Sequence, residues 1–242
     1  MTILVVGATG ATGRWLVGEL LERGERVKAI VRSPGKLPKR LRNHEALSIV
    51  HADLTDLADD ELRRHVAGCT AIASCLGHNL TFKGMYGHPR RLVTDTIRRL
   101  CEAVRANRPE RPVRVVLMNT AGNRNRDLDE HISFAERCVV ALIRILLPPH
   151  RDNEEAADYL RCSVGRGTGD IEWVAVRPDT LVDEGSVTGY EIHSSPTRSA
   201  IFNAGRTSRI NVAHFMADLT TGDEAWEQWK GQMPVIYNEG FA

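Results

Sequence analysis

The sequence predicts a doubly wound α/β fold with a mainly parallel sheet. Three observations point there. Short β-branched runs alternate with helical stretches from residue 3 to residue 119. The first run passes straight into a glycine-spaced turn, the form that opens a dinucleotide-binding βαβ unit. The 242 residues, 42% hydrophobic, suffice for one α/β domain with a full core but not for two comfortable ones.

Ile3-Leu4-Val5-Val6 is expected to be a strand buried on both faces. It leads into Gly7-Ala8-Thr9-Gly10-Ala11-Thr12-Gly13, followed by Arg14-Trp15-Leu16-Val17. Glycines here remove the Cβ atoms that would keep a diphosphate off the backbone. The helix that opens offers unpaired N–H groups and the positive end of its dipole. Trp15, Leu16, Leu20 and Leu21 give residues 14 to 23 an apolar face, and Gly24 is the expected C-terminal cap.

Val27 to Val31 form the second strand, and its end discriminates between cofactors. An acidic residue there would bind the ribose hydroxyls of NAD, whereas an arginine pairs with the extra phosphate of NADP. This chain has Arg32-Ser33-Pro34-Gly35-Lys36. Arg32 supplies a planar fork, Ser33 a hydroxyl and a backbone N–H, and Lys36 a second cation, which argues for NADP. Out of that context, the run continuing through Lys39, Arg40 and Arg42 would read as a solvated basic loop.

Leu47 to Val50 are a third strand ending in His51-Ala52-Asp53-Leu54; Asp53 or Thr55 is also placed to cap a helix over residues 56 to 67. Thr70 to Cys75 are the fourth strand and run into Leu76-Gly77-His78. Cys75 reads as a small core residue, since nothing supplies an activating partner. A loop over 78 to 88 precedes an amphipathic helix over 89 to 106, with Leu92, Val93, Ile97, Leu100 and Val104 inward and its arginines on the solvated face.

The fifth strand, Val113 to Met118, delivers Asn119-Thr120-Ala121-Gly122 to the carboxyl edge of the sheet, where ligands bind. Residues 130 to 147, with Ile132, Phe134, Val139, Leu142, Ile143 and Leu146, predict a helix so apolar that it is core or a dimer seam. A further helix spans Pro149 to Leu160, and Gly169 to Val176 form a sixth strand. The Gly-, Ser- and Thr-rich residues 183 to 209 are the expected substrate-side loop and small C-terminal lobe. A helix around Val212 to Met216, where His214 is structural, and a strand over Pro234 to Asn238 complete the chain.

The spacing Gly-x-x-Gly-x-x-Gly, with Ala8-Thr9 and Ala11-Thr12 between the glycines, resembles the atypical and extended short-chain dehydrogenase/reductases. Within that Rossmann-type superfamily the chain is similar to the NmrA-like and flavin-reductase-like (biliverdin reductase B type) group. The resemblance implies that Asp53-Leu54 hold the adenine and that Ser74-Cys75-Leu76-Gly77 lie beside the cofactor ribose. Asn119-Thr120 stand where relatives carry a serine pair. Arg177-Pro178-Asp179-Thr180-Leu181 resembles the Arg-Pro-Gly-x-Leu element whose backbone meets the nicotinamide carboxamide, with Asp179 in place of glycine.

The classical Tyr-x-x-x-Lys pair is missing, because none of Tyr86, Tyr159, Tyr190 and Tyr237 has a lysine four residues on. Two readings stay open. The chain is an NADPH-dependent oxidoreductase passing hydride to a flavin, quinone or similar small acceptor, with water, His150 or His193 as proton donor. Otherwise it is a catalytically silent NADP(H)-binding redox sensor of NmrA-like type.

A net charge of +1 gives no reason to expect nucleic acid or an acidic membrane as partner. The first strand begins too early to leave room for a leader, and the longest apolar run is broken by Arg144, so neither a secretory signal nor a membrane span is expected. Five cysteines without a Cys-x-x-Cys pair suit a reducing cytosol and no metal site. No hydrolase, zinc-protease or nucleotide-triphosphatase motif occurs. The expectation is one cytoplasmic NAD(P)-binding domain over 1 to 242, monomeric or homodimeric, acting on a small molecule.

Overall fold

A computed structural model describes residues 1–78, 86–130, 133–165 and 169–241. Its main-sheet strands are β1 (Thr2–Val6), β2 (Arg26–Val31), β3 (Leu47–His51), β4 (Ala71–Ser74), β5 (Val113–Met118), β6 (Ile171–Pro178), β8 (Tyr190–His193) and β10 (Val235–Asn238). They lie in the order β3-β2-β1-β4-β5-β6-β10-β8. All neighbours pair in parallel except β8, which is antiparallel to β10. A small second sheet pairs β7 (Thr180–Val182) with β9 (Arg206–Ser208).

The core follows from the pleat. Ile3 and Val5 turn to one face and Leu4 and Val6 to the other, and all four are fully buried. On the first face pack α1 (Gly13–Glu22), the short α2 (Lys39–Arg42), α7 (Arg209–Thr221) and α8 (Asp223–Trp229), through Leu16, Leu20, Leu41, Phe215, Met216 and Trp226. On the second pack α3 (Asp59–Val66), α4 (Leu92–Asn107) and α6 (Pro148–Asp158), through Leu62, Ile97, Leu100, Ala156 and Ala157. Each large apolar side chain of α4 contributes roughly 1.5–3 kcal/mol by leaving water. α1 ends as expected: Gly24 has φ +78°, and the N–H groups of Gly24 and Glu25 close onto the carbonyls of Leu21 and Leu20.

Several expectations need correction. The helix expected over 56 to 67 is only Asp59–Val66, and neither Asp53 nor Thr55 caps it. Asp53 instead accepts from the N–H and hydroxyl of Thr55 in a local turn, at 3.0 and 2.8 Å, while Glu61 reaches back to the Ala58 N–H at 3.3 Å. The helix expected from residue 89 starts at Leu92, where Asp152 of α6 takes over its free N–H groups. Its arginines do not all face solvent: Arg99 turns inward onto the carbonyls of Leu54 and Leu57 and the Asp59 carboxylate.

The strongly apolar helix is α5 (Phe134–Leu146), and it is not core. Phe134 is 81% and Ile145 78% exposed, and among the helix residues only Glu136 is buried. Ile132, part of that expectation, lies outside the described residues. Residues 183 to 209 are not wholly loop: β8 extends the main sheet and β9 the small one.

Candidate cofactor and acceptor site

The strand order changes direction between β1 and β4. β1 hands the chain outward to β2 and β3, and β4 starts the other half, so the connections diverge and leave a crevice at the carboxyl ends. That crevice is lined by Gly7, Thr9 and Gly10 after β1, Ile30, Val31 and Arg32 at the end of β2, Ala52, Asp53 and Leu54 after β3, and Cys75, Leu76 and Gly77 after β4, with Leu92 at the start of α4.

Backbone contact explains the glycines. Gly7 has φ +77°, and a Cβ there would stand 2.5 Å from the Cys75 carbonyl carbon. A Cβ on Gly13 would stand 2.2 Å from the Gly7 carbonyl oxygen. The Gly10 N–H closes the turn onto that same oxygen at 2.9 Å. The N–H groups of Arg14 and Trp15 in the first turn of α1 close onto the carbonyls of Gly10 and Thr12 at 3.1 and 3.0 Å, so the turn and the helix start form one continuous backbone surface bare of side chains at the glycines.

Arg32 is 65% exposed along its side chain, and its guanidinium stands 3.7 Å from Asp53 across the crevice mouth. Ser33 and Lys36 are on the same exposed loop but do not border the crevice. Ala8, Thr12 and Gly13 are buried beneath the turn and Ala11 is exposed beyond it. Burial pushes the Cys75 thiol up to about 12, so it is an inert core group, its sulfur 3.9 Å from that of Met216.

Asn119 and Thr120 are committed to shaping the loop after β5. The Asn119 amide donates to the Asn153 carbonyl at 2.9 Å, and its oxygen accepts from the Thr120 N–H and the Asn123 amide. Pro178 ends β6, Thr180 is exposed, and Leu181 packs against the core. Asp179 replaces glycine without disorder of the turn, because its carboxylate accepts from the N–H groups of Thr180 and Gly205 at 2.7 and 2.9 Å. Burial raises its pKa, against the pull of those hydrogen bonds.

A second, larger cavity of about 490 Å³ opens on the same edge of the sheet. Ala121, Gly122, Arg124 and Glu130 line it from the loop after β5, Glu136 and Val140 from α5, Glu154 from α6, and Ser195 to Ile201 from the loop after β8. What holds these walls is a buried ion pair that the sequence did not announce. Arg177 is fully buried in β6; its Nη2 meets Glu130 at 2.7 Å, and it also donates to the carbonyls of Met233, Asn123 and Ser194. One guanidinium with all these acceptors ties three chain segments together.

The proposed proton donors differ in setting. His150 flanks Gly122, and its ring is 3.6 Å from Glu154; His193 pairs with Glu191 at 3.1 Å. Burial would raise Glu154, but His150 and Arg144 outweigh it and hold the carboxyl below its ordinary range. No tyrosine is primed for proton transfer by a lowered pKa among those whose value moves: burial pushes Tyr159, Tyr190 and Tyr237 upward. Among the described residues no cluster is arranged to hold a metal ion, and no helix is long and apolar enough to cross a membrane.

A doubly wound sheet with a glycine-lined crevice at its switch point defines a Rossmann-type dinucleotide-binding protein. The comparisons make the class specific: residues 7–223 match the family model described as NAD(P)H-binding, and the chain belongs to that family. Among curated proteins it is similar to a dihydroflavonol 4-reductase of Hordeum vulgare, 38% identical over 76 residues, which are 29% of this chain and 21% of that one. An uncharacterised chloroplastic protein of Arabidopsis thaliana is 44% identical over 57 residues, 24% of this chain and 20% of its own. These matches span only about a fifth of the relatives' length.

Solved structures agree over the whole chain. An oxidoreductase of Lactococcus lactis superposes with TM-score 0.70 at 18% identity, covering 100% of this chain and 93% of its own. A wide-type short-chain dehydrogenase/reductase of Veillonella parvula, in complex with NADP, gives 0.68 at 15%, covering 99% and 95%. A candidate NADH-flavin reductase of Streptococcus pneumoniae gives 0.62 at 19%, covering 99% and 100%.

Proposed function

We propose that the chain is an NADPH-dependent reductase of the atypical short-chain group, passing hydride to a flavin, quinone or similar small acceptor. The observation that carries this is the pairing of the glycine-lined crevice, with Arg32 at its mouth, and a roomy second cavity on the same sheet edge. In this reading the turn from Gly7 to Gly13 cradles the pyrophosphate, with Arg32 on the 2′-phosphate assisted by Ser33 and Lys36. Asp53 and Leu54 flank the adenine, Cys75 to Gly77 the ribose, and Pro178, Thr180 and Leu181 the carboxamide. Asn119 and Thr120 act by shaping the loop between the two cavities.

NADPH would supply the hydride, and the single proton that completes the two-electron reduction comes from solvent, which suits a chain without a Tyr-x-x-x-Lys pair. The protein's part is to orient and to exclude water. The NADP-bound Veillonella neighbour supports the choice of cofactor. The absent Tyr-x-x-x-Lys pair also favours a second reading, a silent NADP(H) sensor of NmrA-like type.

Calorimetric titration with NADP, NADPH, NAD and NADH, followed by NADPH oxidation with flavins and quinones, separates the readings. Selective binding of the phosphorylated pair with acceptor-dependent turnover is expected. Tight binding without turnover on any acceptor would establish the sensor, and no binding of any dinucleotide would end both.

A further inference from the structure

Glu136 is the buried group that cofactor binding does not use. It sits in the first turn of α5, is 8% exposed, and lines the 490 Å³ cavity. Among the described residues its carboxylate makes no hydrogen bond or ion pair, whereas the other acids of that wall are engaged. Glu130 is held by Arg177 at 2.7 Å, Glu154 by Arg144 at 2.6 Å, and Asp129 has Arg124 at 3.9 Å. From the loop after β8, Arg198 lines the same cavity with a buried Nε–H that has no partner.

The Arg198 Nε–H is shut from water and unmet, which is costly unless a ligand completes it; the Glu136 carboxylate meets only the solvent of the cavity, so a ligand that displaces that solvent must bring it a donor or strand it. An ammonium would satisfy Glu136 and leave Arg198 unmet; a carboxylate would do the reverse. We propose that the cavity binds an acceptor molecule that presents an N–H or O–H donor beside a carbonyl, the donor to Glu136 and the carbonyl oxygen to Arg198. An imide edge or a hydroxy-ketone has this arrangement. A simple quinone has acceptors only and would strand Glu136. The inference rests on the reductase reading insofar as this cavity serves the hydride acceptor.

The test compares riboflavin, whose imide offers N–H between carbonyls, with its N3-methyl derivative and with menadione, binding being read by flavin fluorescence or its competition at saturating NADP. The wild-type protein should prefer riboflavin over the methylated form by about tenfold or more, and bind menadione more weakly still. Glu136→Ala, which removes an unpartnered carboxylate and leaves room for the methyl group, should fold normally and lose the preference. Equal affinity of the wild type for both flavins, no flavin binding, or an unchanged preference in Glu136→Ala would each overturn the inference. Glu136-dependent binding with no NADPH oxidation would sustain it and remove the reductase reading. Equal NADPH-driven reduction of both flavins would do the opposite.

Discussion

Single residues here act through contact at the scale of one atom. Gly13 is the clearest case, since an added methyl group would meet the Gly7 carbonyl oxygen at 2.2 Å and neither backbone can retreat without opening the turn. Gly13→Ala is therefore expected to cost about 1–3 kcal/mol, read as a lowered thermal midpoint, with dinucleotide affinity falling alongside. Arg32 is the opposite: exposed, and without structural duty beyond a 3.7 Å approach to Asp53. Arg32→Ala should leave the midpoint unchanged while weakening NADP about tenfold, toward the low end for a charged hydrogen bond because solvent screens it. NAD affinity should barely move, and an equal loss for both dinucleotides in titration would remove the 2′-phosphate assignment.

Elements are held in place by groups distant in sequence, and this is where the sequence was hardest to read. The strands were legible because β-branched runs bounded by glycine and proline leave few alternatives. The glycine turn was legible because its context repeats a known geometry. Arg177–Glu130 was not: its partners are 47 residues apart, and no local pattern brings them together. Strand β8 was hidden because Tyr190–His193 has strand character only once β10 lies beside it.

Asp152 shows the same logic for helix α4. Its carboxylate accepts from the Val93 and Thr94 N–H groups at 2.8 and 2.9 Å, from the Thr94 hydroxyl, and from His78 at 2.7 Å, so a residue of one helix caps another. Burial alone would raise its pKa, and these hydrogen bonds overcome that and lower it. A lowered folded-state value means stability that is fully present above the ordinary carboxylate range and lost as pH falls through the folded pKa. Asp152→Asn should cost about 1–3 kcal/mol near neutrality. In urea unfolding, its gap from the wild type should shrink below about pH 4.

At the scale of the molecule, the sheet fills both faces with apolar side chains while α5 stays outside that core. Apolar periodicity read alone offered the core or a dimer seam for α5, and the exposure of the helix removes the first, because composition tells that a surface should be covered and not what covers it. Ile145 is 78% exposed, so Ile145→Lys should change stability by no more than about 0.5 kcal/mol. A loss of several kcal/mol in chemical denaturation would mean that the helix packs into the protein after all. The same substitution should reduce light scattering at high concentration by breaking the exposed apolar stripe.

The placement of the thiols divides the chain's chemistry in a practical way. Cys69, Cys75 and Cys101 are buried, the latter two pushed up to about 12, whereas Cys138 and Cys162 are exposed. Thiolate-directed reagents such as maleimides therefore have two points of attack, and Cys162→Ser would leave one. That one lies on α5 between Glu136 and Val140, which line the larger cavity. Two residues from each on the helix, Cys138 points away from that cavity, so a dye attached there reports on α5 from its outer face while the cavity and the glycine turn remain chemically untouched.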